Sequence, residues 1–287
     1  MGARIIDGKA IAASERERIA AEVAELAERG VRPGLAAVFV GDDQASHVYV
    51  GSKERACERL GMRSLGARLP ADTTQEALVA EVDRLNADPD VSGIIVQLPL
   101  PEHLDPVAVQ ERIDPDKDVD GLHPVNGGRL LRGDPVFVPA TPLGCHVLLT
   151  QAGVDLAGAE VVLIGRSQLV GRPLSLLLGL KGVNATVTVC HTGTRDVAEH
   201  SRRADVLVVA AGRPHTLTAD MVRPGAAVVD VGINRDEDGK LFGDVDFDAV
   251  AEVAGAITPV PGGVGPMTVT MLLHNTLVAA RRQHGLA

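Results

Sequence analysis

A chain of 287 residues with 45% apolar and 23% charged side chains has the balance of an ordinary globular protein, long enough for one large or two medium domains. Aromatic residues make up 2% and tryptophan is absent, so the core has to be built mainly from Val, Leu, Ile and Ala. The formal net charge of −10 argues against a nucleic-acid partner, which needs a basic face to neutralise phosphates, but leaves room for a small anionic ligand held by a local basic cluster.

The three cysteines, Cys57, Cys145 and Cys190, are far apart and odd in number. They suit neither a disulfide framework nor a zinc site, and are expected as buried small hydrophobes in a reducing compartment. The N-terminal stretch has charges at Arg4, Asp7 and Lys9 where a signal peptide needs an apolar run. No apolar stretch approaches the ~20 residues that span a bilayer. The expectation is a cytoplasmic protein with no membrane partner.

Residues 9–29 place Ile11, Ile19, Val23 and Leu26 at helical spacing, closed by Gly30. A strand is expected over 35–40. A helix through 45–57 then follows, started by Gly41, Asp42 and Asp43. A second strand is read over 63–69, a helix over 73–86 capped by Thr73 or Thr74, and a third strand over 91–97. Apolar strands alternating with helices predict a parallel sheet covered on both faces. The pattern breaks at Gln97-Leu-Pro-Leu-Pro101 and stays irregular through the Gly/Pro-rich stretch 123–141, which places a domain boundary near residue 140. A second series of strands follows at 161–164, 185–190, 204–210, 226–231 and briefly 256–257. An inserted hairpin is read over 234–242, and a final helix over 264–282. Four or five strands with short helical crossovers predict a dinucleotide-type domain.

The chemistry concentrates in a few segments. Tyr49, the only tyrosine, lies four residues before Lys53, so a helix puts the pair on one face with Cβ atoms about 5–6 Å apart. Gly165-Arg-Ser-Gln-Leu-Val-Gly171 follows a strand and leads into a helix, the logic of a phosphate-binding turn, although Ser167 stands where the usual middle glycine would. At the end of the next strand, Cys190-His191-Thr192 supplies a hydroxyl where an acid would bind a ribose 2′-hydroxyl; with Arg166 in the turn this favours the 2′-phosphate of NADP over NAD. Pro259-Val-Pro-Gly-Gly-Val-Gly-Pro-Met-Thr268 is a stiff loop of bare backbone suited to close approach of a flat ligand. His123, His146, His191 and His274 lack metal-ligand spacing, and Asp114, Asp116 and Asp118 lack a complete calcium-loop pattern. These are read as local hydrogen-bonding and turn-forming groups, with no metal site.

Tyr49 with Lys53, Val96–Pro101, Lys117-Asp-Val-Asp-Gly121, the Gly165–Pro173 turn, Asp230-Val-Gly-Ile-Asn234 and Pro259–Thr268 stand in the order and spacing of one family. Over essentially its whole length the chain resembles the bifunctional methylenetetrahydrofolate dehydrogenase/methenyltetrahydrofolate cyclohydrolases. The resemblance implies a two-domain α/β enzyme: a folate-binding, catalytic domain over 1–140 facing a Rossmann NADP-binding domain over 141–263 across a cleft. The final helix, 264–287, would pack back on the first domain. It implies a cytoplasmic homodimer that oxidises 5,10-methylenetetrahydrofolate with NADP and hydrolyses the methenyl product to 10-formyltetrahydrofolate, a one-carbon donor for purine biosynthesis.

By the same resemblance, Lys53, Tyr49, Gln97 and Asp120 are catalytic. Tyr49, Lys53, Gln97, Leu98, Pro99, Asp120, Pro259, Gly262 and Gly263 bind folate, and Gly165, Arg166, Ser167, Gly171, Thr192 and Ile233 bind NADP. Many relatives carry serine at the position of Thr192; threonine keeps the hydroxyl. Two alternatives are a dehydrogenase without cyclohydrolase activity and a non-catalytic folate- or nucleotide-binding protein; the presence of Lys53, Gln97 and Asp120 speaks against both.

Overall fold

The computed structural model describes residues 2–41 and 44–286, without the side chains of 44–50 and 52. The chain begins with β1 (Arg4–Ile5) and α1 (Gly8–Glu28), whose Ile19, Val23 and Leu26 are buried at the predicted spacing. It continues through β2 (Gly34–Val40), α2 (Gln44–Arg59), β3 (Arg63–Ser64), β4 (Ala67–Leu69), α3 (Gln75–Ala87) and β5 (Gly93–Val96). Three helices follow: α4 (Pro106–Arg112), α5 (Pro124–Arg132) and α6 (Ala140–Gln151). The second series is β6 (Glu160–Ile164), α7 (Gly171–Gly179), β7 (Thr186–Cys190), α8 (Val197–Ser201), β8 (Val206–Val209) and β9 (Ala227–Asp230). The hairpin β10 (Asn234–Arg235) and β11 (Leu241–Phe242), then α9 (Phe247–Ala251), β12 (Ala256–Ile257) and α10 (Val264–Gln283) complete it.

These elements form two compact units, Met1–Ala13 with Thr141–Thr268, and Ser14–Ala140 with Val269–Ala287. The expected division near residue 140 differs from this at both chain ends. The two-residue β1, too short to show as an apolar run, pairs in parallel with β12 through Arg4↔Ala256 and Ile5↔Ile257, so the N-terminus extends the second sheet. The final helix is divided: its first turn falls with that sheet and the residues from Val269 on fall with the other unit.

In the unit of Ser14–Ala140, β2 is central, with β5 on one side and β3 and β4 on the other, all parallel. The strand read over 63–69 is two strands separated at Leu65-Gly66, and a Cβ on Gly66 would meet the Ala37 carbonyl oxygen at 2.6 Å. Val38, Ile94 and Val96 of the sheet pack with Leu78, Val82 and Leu85 of α3. Burial of each such side chain contributes about 1.5–3 kcal/mol. Thr74 caps α3, accepting from the Ala77 N–H at 3.2 Å. The irregular stretch after residue 97 contains helices because capping residues precede proline starts: Asp105 before Pro106, and His123 before Pro124 with its Nδ1 accepting from Val125 N–H.

The other end of α3 is closed by a side chain from far along the chain. Lys117, only 7% exposed, donates its ammonium to the carbonyls of Leu85, Asn86 and Asp88 at 3.2, 2.7 and 2.8 Å. Burial lowers its pKa, opposed by the charges of Asp114 and Asp88, and a cation at a helix C-terminus is favoured by the helix dipole. Lys117→Met strips three acceptors of their donor and should cost on the order of 2–3 kcal/mol. Thermal melting would then move down by roughly 4–12 °C; an unchanged melting temperature would refute this role.

The second sheet, six-stranded among the described residues, runs β1-β12-β9-β8-β6-β7 and is parallel throughout. Numbered from β6, its first five strands have the order 2-1-3-4-5, so the chain reverses direction across the sheet between β6 and β8. Val162, Ile164, Leu207, Val209, Val228 and Ile257 form its core with residues of the surrounding crossovers. β10 and β11 make the predicted hairpin, pairing Asn234↔Phe242 and Arg235↔Leu241.

Candidate active site and nucleotide cavity

In the four-stranded unit, the C-terminal ends of the parallel strands converge on three of the residues named from the sequence. Gln97 directly follows β5; Asp120 follows a segment that bridges β5 through Ile94↔Asp118; Lys53 projects from α2. Lys53 is 7% exposed, and its ammonium donates to Gln97 Oε1 at 2.9 Å. Gln97 Nε2 donates in turn to the Leu98 carbonyl at 2.7 Å, which fixes the amide with its oxygen toward the lysine. Burial lowers the Lys53 pKa, opposed by the charge of Asp120. Asp120 is partly buried, and burial raises its carboxyl, with Lys53 pulling it down and Asp118 pushing it up. A lysine shifted toward neutrality beside a fixed amide and a carboxylate is equipped to orient a water molecule and take a proton from it.

Asp118 has a different task. The residue is 2% exposed, and its carboxylate accepts from the N–H groups of Leu122 and His123 at 3.2 and 2.9 Å and from Asn126 Nδ2 at 2.8 Å, so it shapes the turn after Asp120. Asp114 accepts from the N–H of Asp116 at 2.9 Å, the turn-forming role expected of it. Asn275 of α10 was not singled out by the sequence. Its buried amide donates to the carbonyls of Val119 and Val138 at 2.8 and 2.9 Å, gripping the residue just before Asp120. Leu98 is partly buried and Pro99 exposed, and the Leu98–Pro99 peptide is cis. The side chain of Tyr49, and Asp42 and Asp43 expected to cap α2, lie outside the described residues. Among the described residues no three His, Cys, Asp or Glu side chains are grouped to hold a metal ion, and no helix is long and apolar enough to cross a membrane.

In the six-stranded unit, a cavity of ≈ 350 Å³ lies at the C-terminal ends of β6, β7 and β8, the reversal point of the sheet. Gly165, Arg166, Ser167 and Thr192, all named from the sequence, line it; His191, Arg213 and Thr216 join them. The lining holds two guanidinium groups and three hydroxyls and no carboxylate, a donor set for an anionic ligand. α7 starts at Gly171 with no side-chain cap; Arg172 N–H is held by Ser167 O at 3.0 Å and Pro173 has none, so the Gly171 N–H and the helix dipole are what this start offers an anion. The glycines let the turn close: a Cβ on Gly165 would meet Ala210 O at 2.2 Å, and one on Gly171 would meet Gly165 O at 2.1 Å. These residues fit a dinucleotide whose ribose carries a 2′-phosphate.

Ile233, expected with that group, is 67% exposed and lines a second cavity of ≈ 180 Å³ in the same unit. There it meets Pro259, Gly262 and Gly263 of the proline-flanked loop, together with Lys9 at the start of α1. The loop packs tightly on that helix: a Cβ on Gly8 would fall 1.9 Å from Gly263 O. Sequence alone gave no sign that Lys9 would be brought here.

By fold and site the protein belongs to the class of two-unit α/β proteins that pair a nucleotide-type sheet with a buried lysine–amide–carboxylate group. Residues 6–120 match the family model described as tetrahydrofolate dehydrogenase/cyclohydrolase, catalytic domain, and residues 139–284 match that described as tetrahydrofolate dehydrogenase/cyclohydrolase, NAD(P)-binding domain. The chain belongs to the tetrahydrofolate dehydrogenase/cyclohydrolase family. A relative from Bordetella avium, named bifunctional protein FolD, is 56% identical over 282 residues, covering 98% of this chain and 99% of the relative. The crystal structure of the bifunctional FolD methylenetetrahydrofolate dehydrogenase/cyclohydrolase from Campylobacter jejuni aligns with a TM-score of 0.94 at 47% identity, over 97% of this chain and 98% of that one. The Trypanosoma brucei methylenetetrahydrofolate dehydrogenase-cyclohydrolase, complexed with NADP and an inhibitor, aligns at 0.93 and 43% identity, over 98% of both chains.

Proposed function

We propose that this protein is a bifunctional enzyme of folate one-carbon metabolism. It oxidises 5,10-methylenetetrahydrofolate to the methenyl cation with NADP, then hydrolyses that cation to 10-formyltetrahydrofolate. The observation that carries the reading is the buried Lys53–Gln97 pair beside Asp120, in a chain whose other unit has a carboxylate-free nucleotide cavity. NADP, when bound, accepts the hydride that leaves the methylene carbon. Arg166, Ser167, Thr192 and the start of α7 would hold its phosphates, Gly165 and Gly171 would let the backbone come close, and Ile233 would contact the nucleotide. Folate would be bound by Tyr49, Leu98, Pro99, Pro259, Gly262 and Gly263, with Asp120 accepting from the donor-rich edge of the pterin.

In the hydrolytic step Lys53 and Gln97 would orient a water toward the methenyl carbon. As the new carbon–oxygen bond forms, the neutral lysine takes one water proton; the carbon–N5 bond then breaks, N5 takes that proton from the lysine, and the carbinol hydroxyl loses its own proton to solvent as it becomes the formyl oxygen on N10. Supplied methenyltetrahydrofolate should therefore be hydrolysed without nucleotide, at a rate that rises with pH and levels off with a midpoint below lysine's ordinary 10.5. A profile following the uncatalysed reaction at every pH would refute the hydrolase reading; a midpoint at the ordinary lysine value would refute the burial effect on Lys53. The protein is further proposed as a cytoplasmic homodimer whose product supports purine biosynthesis, with no nucleic-acid partner. Three buried free thiols suit a reducing compartment, and the net charge suits the absence of nucleic acid.

A further inference from the structure

Beside the two cavities of the six-stranded unit, two buried carboxylates, Asp244 and Asp230, join the ends of three neighbouring strands, and Asp230 also lines the smaller cavity. Asp244, fully buried, accepts at Oδ2 from the N–H groups of Ala211 and Gly212 at 2.8 and 2.7 Å, and at Oδ1 from Asn234 Nδ2 at 2.9 Å. Ala211 lies just beyond β8, in the lining of the larger cavity; Asn234 follows Ile233 in the lining of the smaller one. Asp230, at the end of β9, accepts from the N–H groups of Gly232, Asp244 and Val245 at 2.9, 3.0 and 3.0 Å, and its own N–H reaches Thr258 Oγ1, just beyond β12, at 2.8 Å. Burial pushes the Asp230 carboxyl up to about 6, with its backbone donors opposing and Asp244 adding to the rise. The arrangement has been given room: a Cβ on Gly232 would fall 2.2 Å from Asp244 Cγ, and one on Gly243 would overlap Asp230 Oδ2.

Burying two like charges this close is costly and no fold needs it for packing. The carboxylate of Asp244 does one thing that an apolar side chain cannot: it holds the loop of Ala211–Thr216 and the loop of Ile233 in fixed relation. We propose that Asp244 is a positioning residue for the nucleotide, setting the loops after β8 and β9 that line the two cavities so that they are preorganised before it binds. It acts through backbone amides and Asn234, without touching the ligand. The inference rests on the reading of this unit as the NADP-binding one.

Asp244→Asn tests it with nearly unchanged shape. One oxygen cannot serve all three donors, so either the Ala211–Gly212 amides or Asn234 loses its acceptor. The NADP dissociation constant should rise about tenfold, the loss of roughly one charged hydrogen bond. Dehydrogenase kcat/KM falls with it, while kcat for hydrolysis of saturating methenyltetrahydrofolate stays within about twofold, because Lys53, Gln97 and Asp120 belong to the other unit and the Ile233 loop bears only on KM. Asn234→Ala, which releases only the Ile233 loop, should show a smaller effect of the same kind and decides the matter if Asp244→Asn does not fold. Unchanged NADP binding in the folded variants would overturn the proposal. So would a parallel loss of both activities with a lowered melting temperature, the result of a purely structural role. Failure of the unaltered protein to bind NADP would instead overturn the nucleotide reading itself, and this inference with it.

Discussion

Lys53→Met should abolish hydrolysis of the methenyl compound, a loss of at least about a hundredfold, while leaving NADP binding within about twofold. Methionine matches the lysine's length and tolerates its buried position, so the substitution removes the amine with little change in packing. The amine donates to Gln97 Oε1 at 2.9 Å and faces the charge of Asp120, and its pKa is lowered by burial. Without it there is no neutral base beside the water and no donor to fix the Gln97 oxygen. The nucleotide cavity is lined from β6, β7 and β8 of the other unit and has no part in this loss. Hydrolysis assayed on supplied methenyltetrahydrofolate, with NADP binding measured by titration, separates the two effects. Ordinary turnover in this variant would remove Lys53 from the mechanism.

The reverse separation is expected of Gly171→Ala. The added methyl would lie 2.1 Å from Gly165 O and 2.7 Å from its carbonyl carbon, both backbone, so the turn has to open. Opening it displaces Arg166 and Ser167 from the start of α7, where the Gly171 N–H and the helix dipole would receive phosphate. NADP affinity should fall about thirtyfold or more, on the order of 2 kcal/mol, and the dehydrogenase reaction with it. Hydrolysis should continue. Undiminished NADP binding in Gly171→Ala would show that this turn is not the phosphate site.

Where local pattern decides structure, the sequence was a sufficient guide. Apolar runs located β2, β5, β6, β8 and β9 to within a residue or two, and the order of the motifs matched the family that the comparisons establish. Pattern failed where a contact distant in sequence supplies the reason. β1 is two residues long and exists because β12 offers it an edge. The stretch after Gln97 looked broken by proline and glycine, yet Pro106 and Pro124 begin helices there once Asp105 and His123 cap them. Lys117 stands among aspartates in the sequence, and its partners are three carbonyls at the end of α3 about thirty positions earlier, at Leu85, Asn86 and Asp88.

The site shows the same limit. Lys53, Gln97 and Asp120 were named by motif, but Asn275 holds the Asp120 segment from a helix 155 positions further along, 275 against 120. Asp244 is one acid among the many near the hairpin; only Gly232 and Gly243, each packed against a buried carboxylate, mark it out. Those glycines are visible in the sequence. Their reason is not.

The central claim is that one chain carries out oxidation and hydrolysis in succession, with the hydrolytic base on Lys53. The most direct test mixes methylenetetrahydrofolate and NADP with the unaltered protein and with Lys53→Met, following reduced nicotinamide and methenyl absorbance together. The account predicts reduced cofactor with little methenyl build-up for the unaltered protein, and methenyl accumulating in step with reduced cofactor for Lys53→Met. Methenyl accumulating in step with reduced cofactor in the unaltered protein would contradict it, leaving a dehydrogenase alone.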